Sequence, residues 1–302
     1  MPQTKFKNAA ETYASHPMLN LYGDRPIPYY NAAYSSRKVQ YSSDGKSEVE
    51  NRPTITPYVV SGAKSAVVIY PGGGYYARSD SGEGMAIANA FNQLGVTAFV
   101  VRYRVGNSQD ATDGYNIDAI LSDGQRGVQY VRANAEEFGI DPNKIAVCGF
   151  SAGGHLSMMV SQNEHGKNPA GDRIGDISSL PNAAILGYAV TTLKDGTFSS
   201  MPPILSGGDL NRLETIKEQY SGELHVTEKT PPTFLWYGTA DAGVNPQKNS
   251  VTYYNALQKA GVLSEIHSFQ NVAHGVGLGP GTAAAGWQNT AAAFLKKAGF
   301  DF

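Results

Sequence analysis

The chain has one cysteine, almost no imbalance of charge and no apolar run of membrane-spanning length, and each shortage removes a class of function. With Cys148 alone, no intrachain disulfide can form, and its place in the run Ile145-Ala146-Val147-Cys148 reads as a small buried residue. The 24 basic and 26 acidic residues leave a formal charge of −2, so there is no electrostatic footprint for nucleic acid or an anionic membrane. Met1-Pro2-Gln3-Thr4-Lys5-Phe6-Lys7 lacks the apolar stretch of a secretory signal, which points to a cytoplasmic location. No His, Cys and carboxylate cluster has ligand spacing, so neither metal nor organic cofactor is expected. The expected partners are small molecules, with no nucleic acid and no membrane.

What is present is an alternation of two periods. Short apolar runs at Ile55–Val60, Ala66–Tyr70, Thr97–Val101, Ile145–Cys148, Ala183–Val190, Thr233–Tyr237 and Glu265–Phe269 predict strands. Between them, Ile117, Ile120, Leu121, Val128, Val131, Ala135 and Phe138 recur at three- and four-residue intervals, predicting a helix over 117–138 that Gly139 and Asp141-Pro142 end. Continuous apolar strands alternating with amphipathic helices make an α/β fold, a mainly parallel doubly wound sheet with helices on both faces. The 302 residues suit one such domain. Residues 1–50 read as an irregular segment leading to an edge strand near Arg37-Lys38-Val39-Gln40-Tyr41. Residues 191–230 interrupt the rhythm with Gly, Ser, Pro and charge, carry a short helical candidate near Leu213–Tyr220, and read as a small cap over the site.

Gly149-Phe150-Ser151-Ala152-Gly153 follows one predicted strand directly and precedes a helix. That context fits a nucleophile elbow, a sharp turn that lifts a serine hydroxyl clear of its neighbours. A serine needs a base to take its proton and a carboxylate to orient that base. Of six histidines, His274 lies in the glycine-rich loop Asn271-Val272-Ala273-His274-Gly275 after the last predicted strand, where it can reach back over the sheet edge. His16, His155, His165, His225 and His267 have weaker or structural contexts. Asp241 ends the run Thr233 to Tyr237 in the turn Gly238-Thr239-Ala240-Asp241, with Asp195 as competitor. The order Ser151, Asp241, His274 is that of the α/β-hydrolase fold. A developing oxyanion needs preorganised donors. Gly73 and Gly74 of Tyr70-Pro71-Gly72-Gly73-Gly74-Tyr75-Tyr76, with the Ala152 amide, are the candidates. A phosphate loop is the alternative reading, but no Lys-Ser/Thr pair follows the glycines.

Together Pro71-Gly72-Gly73-Gly74-Tyr75, Tyr103-Arg104, Gly139-Ile140-Asp141-Pro142, Gly149-Phe150-Ser151-Ala152-Gly153-Gly154-His155-Leu156, Thr230-Pro231-Pro232-Thr233-Phe234-Leu235 and Ala273-His274-Gly275 resemble the α/β-hydrolase esterases related to bacterial acetyl xylan and feruloyl esterases. The resemblance runs from about Tyr58 to Trp287. It implies a serine carboxylesterase acting on small acyl groups, commonly acetyl esters of plant-wall sugars, with Ser151, His274 and Asp241 in the same three roles. Pro71 departs from lipase-like relatives, whose glycine loop begins with histidine. Asp123, Arg126 and the Tyr103-Arg104 pair look like bracing scaffold. Tyr75 and Tyr76 could stack on a sugar ring or wall an acyl pocket, or simply pack. A feruloyl esterase or general short-chain lipase or esterase, a prolyl-oligopeptidase-like serine peptidase and a non-catalytic binding module remain as alternatives.

Overall fold

The computed structural model describes residues 9–40, 48–163, 168–194 and 199–302. Eight strands form the main sheet: β1 (Leu19–Asn20), β2 (Thr54–Tyr58), β3 (Ala66–Tyr70), β4 (Thr97–Arg102), β5 (Ile145–Phe150), β6 (Ala183–Gly187), β7 (Thr233–Gly238) and β8 (Ser264–Phe269). Their spatial order is β1-β2-β4-β3-β5-β6-β7-β8. β1 and β2 are antiparallel to their neighbours, and the other six strands are mutually parallel. The chain steps from β3 outward to β4 and then crosses back to β5. The loops after β3 and β5 therefore flank the point where strand order reverses, the usual ligand position in such sheets.

Alternation along the strands explains the two faces. Val68, Tyr70, Phe99, Val101 and Val147 point to one core, covered by α2 (Ile117–Ala133), α3 (Ser151–Gln162) and α4 (Thr252–Lys259). Val67, Ile69, Val100, Cys148, Phe234 and Trp236 point to the other, covered by α1 (Ala86–Gln93) and α5 (Trp287–Lys297). Trp236 stacks on Trp287 there, with centroids 5.1 Å apart. Burial pushes the Cys148 thiol well above its ordinary pKa, as suits a core residue.

Three boundaries differ from the sequence reading. The helix expected over 117–138 breaks at Asn134, whose side-chain amide donates to the Tyr130 carbonyl at 2.7 Å, and a separate turn covers Ala135–Phe138. Gly139, at φ +73°, caps it where expected. The run expected as a strand to Val190 leaves the sheet after Gly187, because Tyr188 turns sharply at φ +35°. Lys38–Gln40 is not an edge of the main sheet; it pairs with Glu48–Glu50 in a two-stranded ribbon, and β1 takes the edge.

The described residues of the 191–230 stretch hold more regular structure than their composition suggests. Asp195 lies outside the described residues. Beyond it come a helix at Met201–Ser206 opened by Pro202 and Pro203, a turn at Leu210–Arg212, the expected helix at Leu213–Gln219 and a turn at Gly222–Leu224. The Gly222 amide donates back to the Thr191 carbonyl, closing the segment at its base, while Ile204 packs on Gly106 of the loop after β4.

Arg104 braces the front of the fold. Its Nε and Nη2 each donate to Asp123 of α2 at 2.7 Å, its backbone N–H donates to the same carboxylate at 2.9 Å, and neither side chain touches solvent. Tyr22 adds a fourth donor at 3.0 Å, and Arg104 Nη1 reaches the Pro28 carbonyl. Removing one member strands the other in low dielectric. Arg104→Met is therefore expected to lower unfolding free energy by about 3–5 kcal/mol in urea titration at unchanged m value. The double change Arg104→Met with Asp123→Leu should recover much of that loss. A single-variant loss below about 1 kcal/mol would refute this account.

Candidate active site

The elbow is built where β5 meets α3. Ser151 adopts φ +51°, a left-handed conformation rare for a side chain of this kind and common where a site stores strain. Gly153 must be glycine, since a Cβ there would lie 2.0 Å from the Tyr70 carbonyl oxygen. This close approach follows from register. Tyr70 at the end of β3 is paired with Gly149 of β5, so the loop leaving β3 runs beside the serine. A Cβ added to Gly72 would stand 3.0 Å from Ser151 Cβ.

Asp241, in the turn after β7, and His274, in the loop after β8, converge on that serine. His274 Nε2 lies 2.9 Å from Ser151 Oγ, and His274 Nδ1 lies 2.8 Å from Asp241 Oδ2. The other Asp241 oxygen accepts the Gly243 and Val244 amides at 2.8 and 2.7 Å. A carboxylate can only accept, so Nδ1 carries the proton and the lone pair of Nε2 faces the serine hydroxyl. Asp241 is 1 % exposed and His274 22 %, which leaves the imidazole as the solvent-facing member.

The structure brings the glycine loop to the same place. Gly73 sits at φ +137°, open only to glycine, and accepts the Tyr76 and Ala77 amides on its carbonyl. Among the described residues, the Gly73, Gly74 and Ala152 amides donate to no protein acceptor. The Gly72 amide, by contrast, is taken by Glu83 Oε2 at 2.7 Å.

The two tyrosines part company. Tyr76 is 45 % exposed, but Tyr75 is fully buried, and its hydroxyl bonds to His155 Nδ1 at 2.8 Å. A sugar-stacking or pocket-wall role for the Tyr75 side chain is thereby corrected: at φ +64° its backbone turns the ring inward against Tyr103. His155 is held at its other nitrogen by the Tyr220 carbonyl, 2.8 Å away, and burial pushes its pKa down to about 4. It links α3 to the 199–230 segment as a neutral spacer. His16 stacks on Tyr58, His225 bonds to the Glu218 carbonyl and His267 lies beside Glu265, all remote in bonding from Ser151. His165 lies outside the described residues.

Two residues at the site escaped the sequence reading, Glu83 and Tyr188. Tyr188 sits edge-to-face on the His274 imidazole with centroids 5.0 Å apart, and its hydroxyl donates to Glu83 at 2.7 Å. Glu83 lies between two glycines eleven residues after Gly72, a placement that is visible in sequence, but its partners are not.

No helix among the described residues is long and apolar enough to cross a membrane. In comparisons with known proteins, the chain is 29% identical over 240 residues to an acetylxylan esterase of Xylanibacter ruminicola, covering 79% of this chain and 45% of that one. It is 30% identical over 225 residues to endo-1,4-beta-xylanase B of Butyrivibrio fibrisolvens, covering 74% of this chain and 34% of the other. The chain thus spans less than half the length of these curated relatives. An acetyl ester-xyloside bifunctional hydrolase from Caldicellulosiruptor lactoaceticus superposes with a TM-score of 0.81 at 29% identity, over 95% of this chain and 98% of that one. With the α/β-hydrolase architecture in place and the BD-FAE family model matching residues 55–257, which hold Ser151, Asp241 and the glycine loop, the chain belongs to the BD-FAE family.

Proposed function

We propose that the protein is a serine carboxylesterase that removes short acyl groups, acetyl first, from plant-wall carbohydrate of the xylan type. The observation that carries the reading is the unbroken Asp241–His274–Ser151 chain at 2.8 and 2.9 Å, ending on a serine in a strained elbow. Ser151 Oγ attacks the ester carbonyl carbon as its proton passes to His274 Nε2. The carbonyl oxygen, now negative, is received by the Gly73, Gly74 and Ala152 amides. The carbon–oxygen bond to the sugar then breaks, and His274 returns the proton to the departing alcohol. Water, deprotonated by the same nitrogen, attacks the acyl-serine and releases the acid.

The geometry supports this order of events because every group is already oriented before substrate arrives. Asp241 spends one oxygen on backbone amides and the other on His274, so the imidazole is held in the tautomer that can accept a proton. The substrate class is supported by the relatives, two of whose names refer to acetyl esters of xylan or xylosides. Tyr76, the tyrosine left exposed beside the glycine loop, is the aromatic surface available to a sugar ring.

Rates on 4-nitrophenyl esters from acetyl to decanoyl, followed by acetate and ferulate release from xylan oligosaccharides, test the proposal. The expected result is a kcat/KM highest at acetyl or propionyl and at least about tenfold lower at octanoyl, each added methylene of misfit counting for up to a few kcal/mol. Acetate release should exceed ferulate release. A maximum at octanoyl or longer would overturn the short-acyl assignment, and preferential ferulate release would replace acetyl with feruloyl as the natural group.

A further inference from the structure

Glu83 sits in the wide turn Asp80–Met85 between the glycine loop and α1, a buried carboxyl group with no role in the steps above. Its Oε2 accepts the Gly72 amide at 2.7 Å, and its Oε1 accepts the Tyr188 hydroxyl at 2.7 Å. The Tyr188 oxygen in turn accepts the Gly277 amide at 2.9 Å, so its own hydrogen is free to point at Glu83. Gly72 directly precedes the two glycines whose amides face the oxyanion, and Gly277 lies three residues after His274. We propose that Glu83, through Tyr188, is a positioning residue that locks the glycine loop and the histidine loop into one mutual register around Ser151. The proposal rests on the serine-esterase reading above.

Three further observations support it. Gly72 is held at both polar groups, its carbonyl accepting the Ser79 amide at 2.9 Å while its amide goes to Glu83. The Tyr188 ring lies against His274, so the same side chain that anchors Gly277 also limits how the imidazole can tilt. Tyr188 accepts an unfavourable φ of +35° to do this, immediately after β6. Burial raises the Glu83 pKa, and the Tyr188 hydroxyl, the Gly72 amide and the positive charge His274 carries when protonated oppose that rise. A buried carboxyl group is a poor way to stabilise a fold, since apolar replacements are often as good or better. It is a good way to fix two loops by directed bonds.

Glu83→Gln keeps the shape but turns one acceptor into a donor; with its oxygen on the Gly72 amide, its NH₂ group meets a Tyr188 oxygen that already accepts the Gly277 amide, and the Tyr188 hydrogen loses its acceptor. Tyr188→Phe keeps the ring and removes only the bridge to Gly277 and Glu83. Both variants, with Ser151→Ala as a parallel control, are assayed on 4-nitrophenyl acetate and for inhibition by a small alkylboronic acid, a tetrahedral mimic. In Glu83→Gln, kcat is expected to fall at least about tenfold with KM within about twofold, and the boronate inhibition constant to rise by a similar factor. Tyr188→Phe should move both quantities the same way by about three- to tenfold, and the double variant should be no worse than Glu83→Gln alone. Folded variants with kcat and boronate affinity within about twofold of the parent overturn the proposal, as does a rise in KM alone. If Glu83→Gln does not fold, Tyr188→Phe decides by the same criterion. Activity surviving in Ser151→Ala would instead refute the esterase reading; its loss beside an unaffected Glu83→Gln would refute only the role of Glu83.

Discussion

Ser151→Ala is expected to lower kcat on 4-nitrophenyl acetate by a factor of about 10⁵–10⁶. The reason is chemical rather than structural. Ser151 Oγ is the atom His274 Nε2 faces at 2.9 Å, so in the proposed mechanism the substitution deletes the nucleophile and leaves its base in place. Alanine fits the elbow's φ of +51° about as well as serine does, so unfolding should not confound the result. The glycine-loop amides remain, and they should leave a residual rate about 10³-fold above water, as isolated oxyanion sites do elsewhere. The check is steady-state hydrolysis against a buffer blank, with circular dichroism to verify folding. Labelling by a fluorophosphonate probe should vanish in the variant. More than about a tenth of parental activity, or undiminished labelling, would place the nucleophile on another residue.

The parts of this site that sequence exposes are those whose identity is local. A serine between glycines after an apolar run suggests an elbow, and it gains weight because a glycine loop, an acid and a histidine each stand just past a strand of their own in the expected order. His274 and Asp241 follow from chain order and from standing just past a strand. Strand positions are equally local, since five or six consecutive buried side chains such as Ile145–Phe150 have no alternative on a surface. The α/β-hydrolase architecture was readable for the same reason.

Side-chain direction in loops is not local. Tyr75 and Tyr76 are adjacent in sequence and chemically identical, yet one is fully buried on His155 and the other is 45 % exposed. A left-handed backbone at Tyr75 makes the difference, and no periodicity announces it. Glu83 and Tyr188 were hidden more completely. They are 105 positions apart, and their bond exists only because the turn after β3 and the end of β6 meet at the sheet's carboxyl edge. Tyr188 was also masked by continuing an apolar run that reads as strand. The 199–230 segment shows a third limit: Pro202 and Pro203 suggest irregular chain, but at the first turn of a helix they are well placed.

Asp241→Asn tests whether orientation of the imidazole, and not only its presence, drives the reaction. In the parent, Asp241 Oδ1 accepts two backbone amides, from Gly243 and Val244, and Oδ2 faces His274 Nδ1. The asparagine side chain has one acceptor oxygen and one NH₂ group. Two amide donors will claim the oxygen, since aiming NH₂ at them would oppose donor to donor in a site 1 % exposed. The NH₂ group then points at His274 and can be received only by a bare Nδ1. The proton moves to Nε2, where it meets the Ser151 hydroxyl as a second donor, and proton transfer from serine has no acceptor. The expected loss in kcat is about 10⁴-fold near neutral pH, with KM little changed and the fold intact. Nitrogen NMR of His274 supplies the decisive readout: the parent should carry its proton on Nδ1 and the Asp241→Asn variant on Nε2. A variant that keeps the Nδ1 tautomer and still loses activity would show that the negative charge of Asp241 matters more than the orientation it imposes. One that keeps more than about a tenth of parental kcat would remove Asp241 from the mechanism.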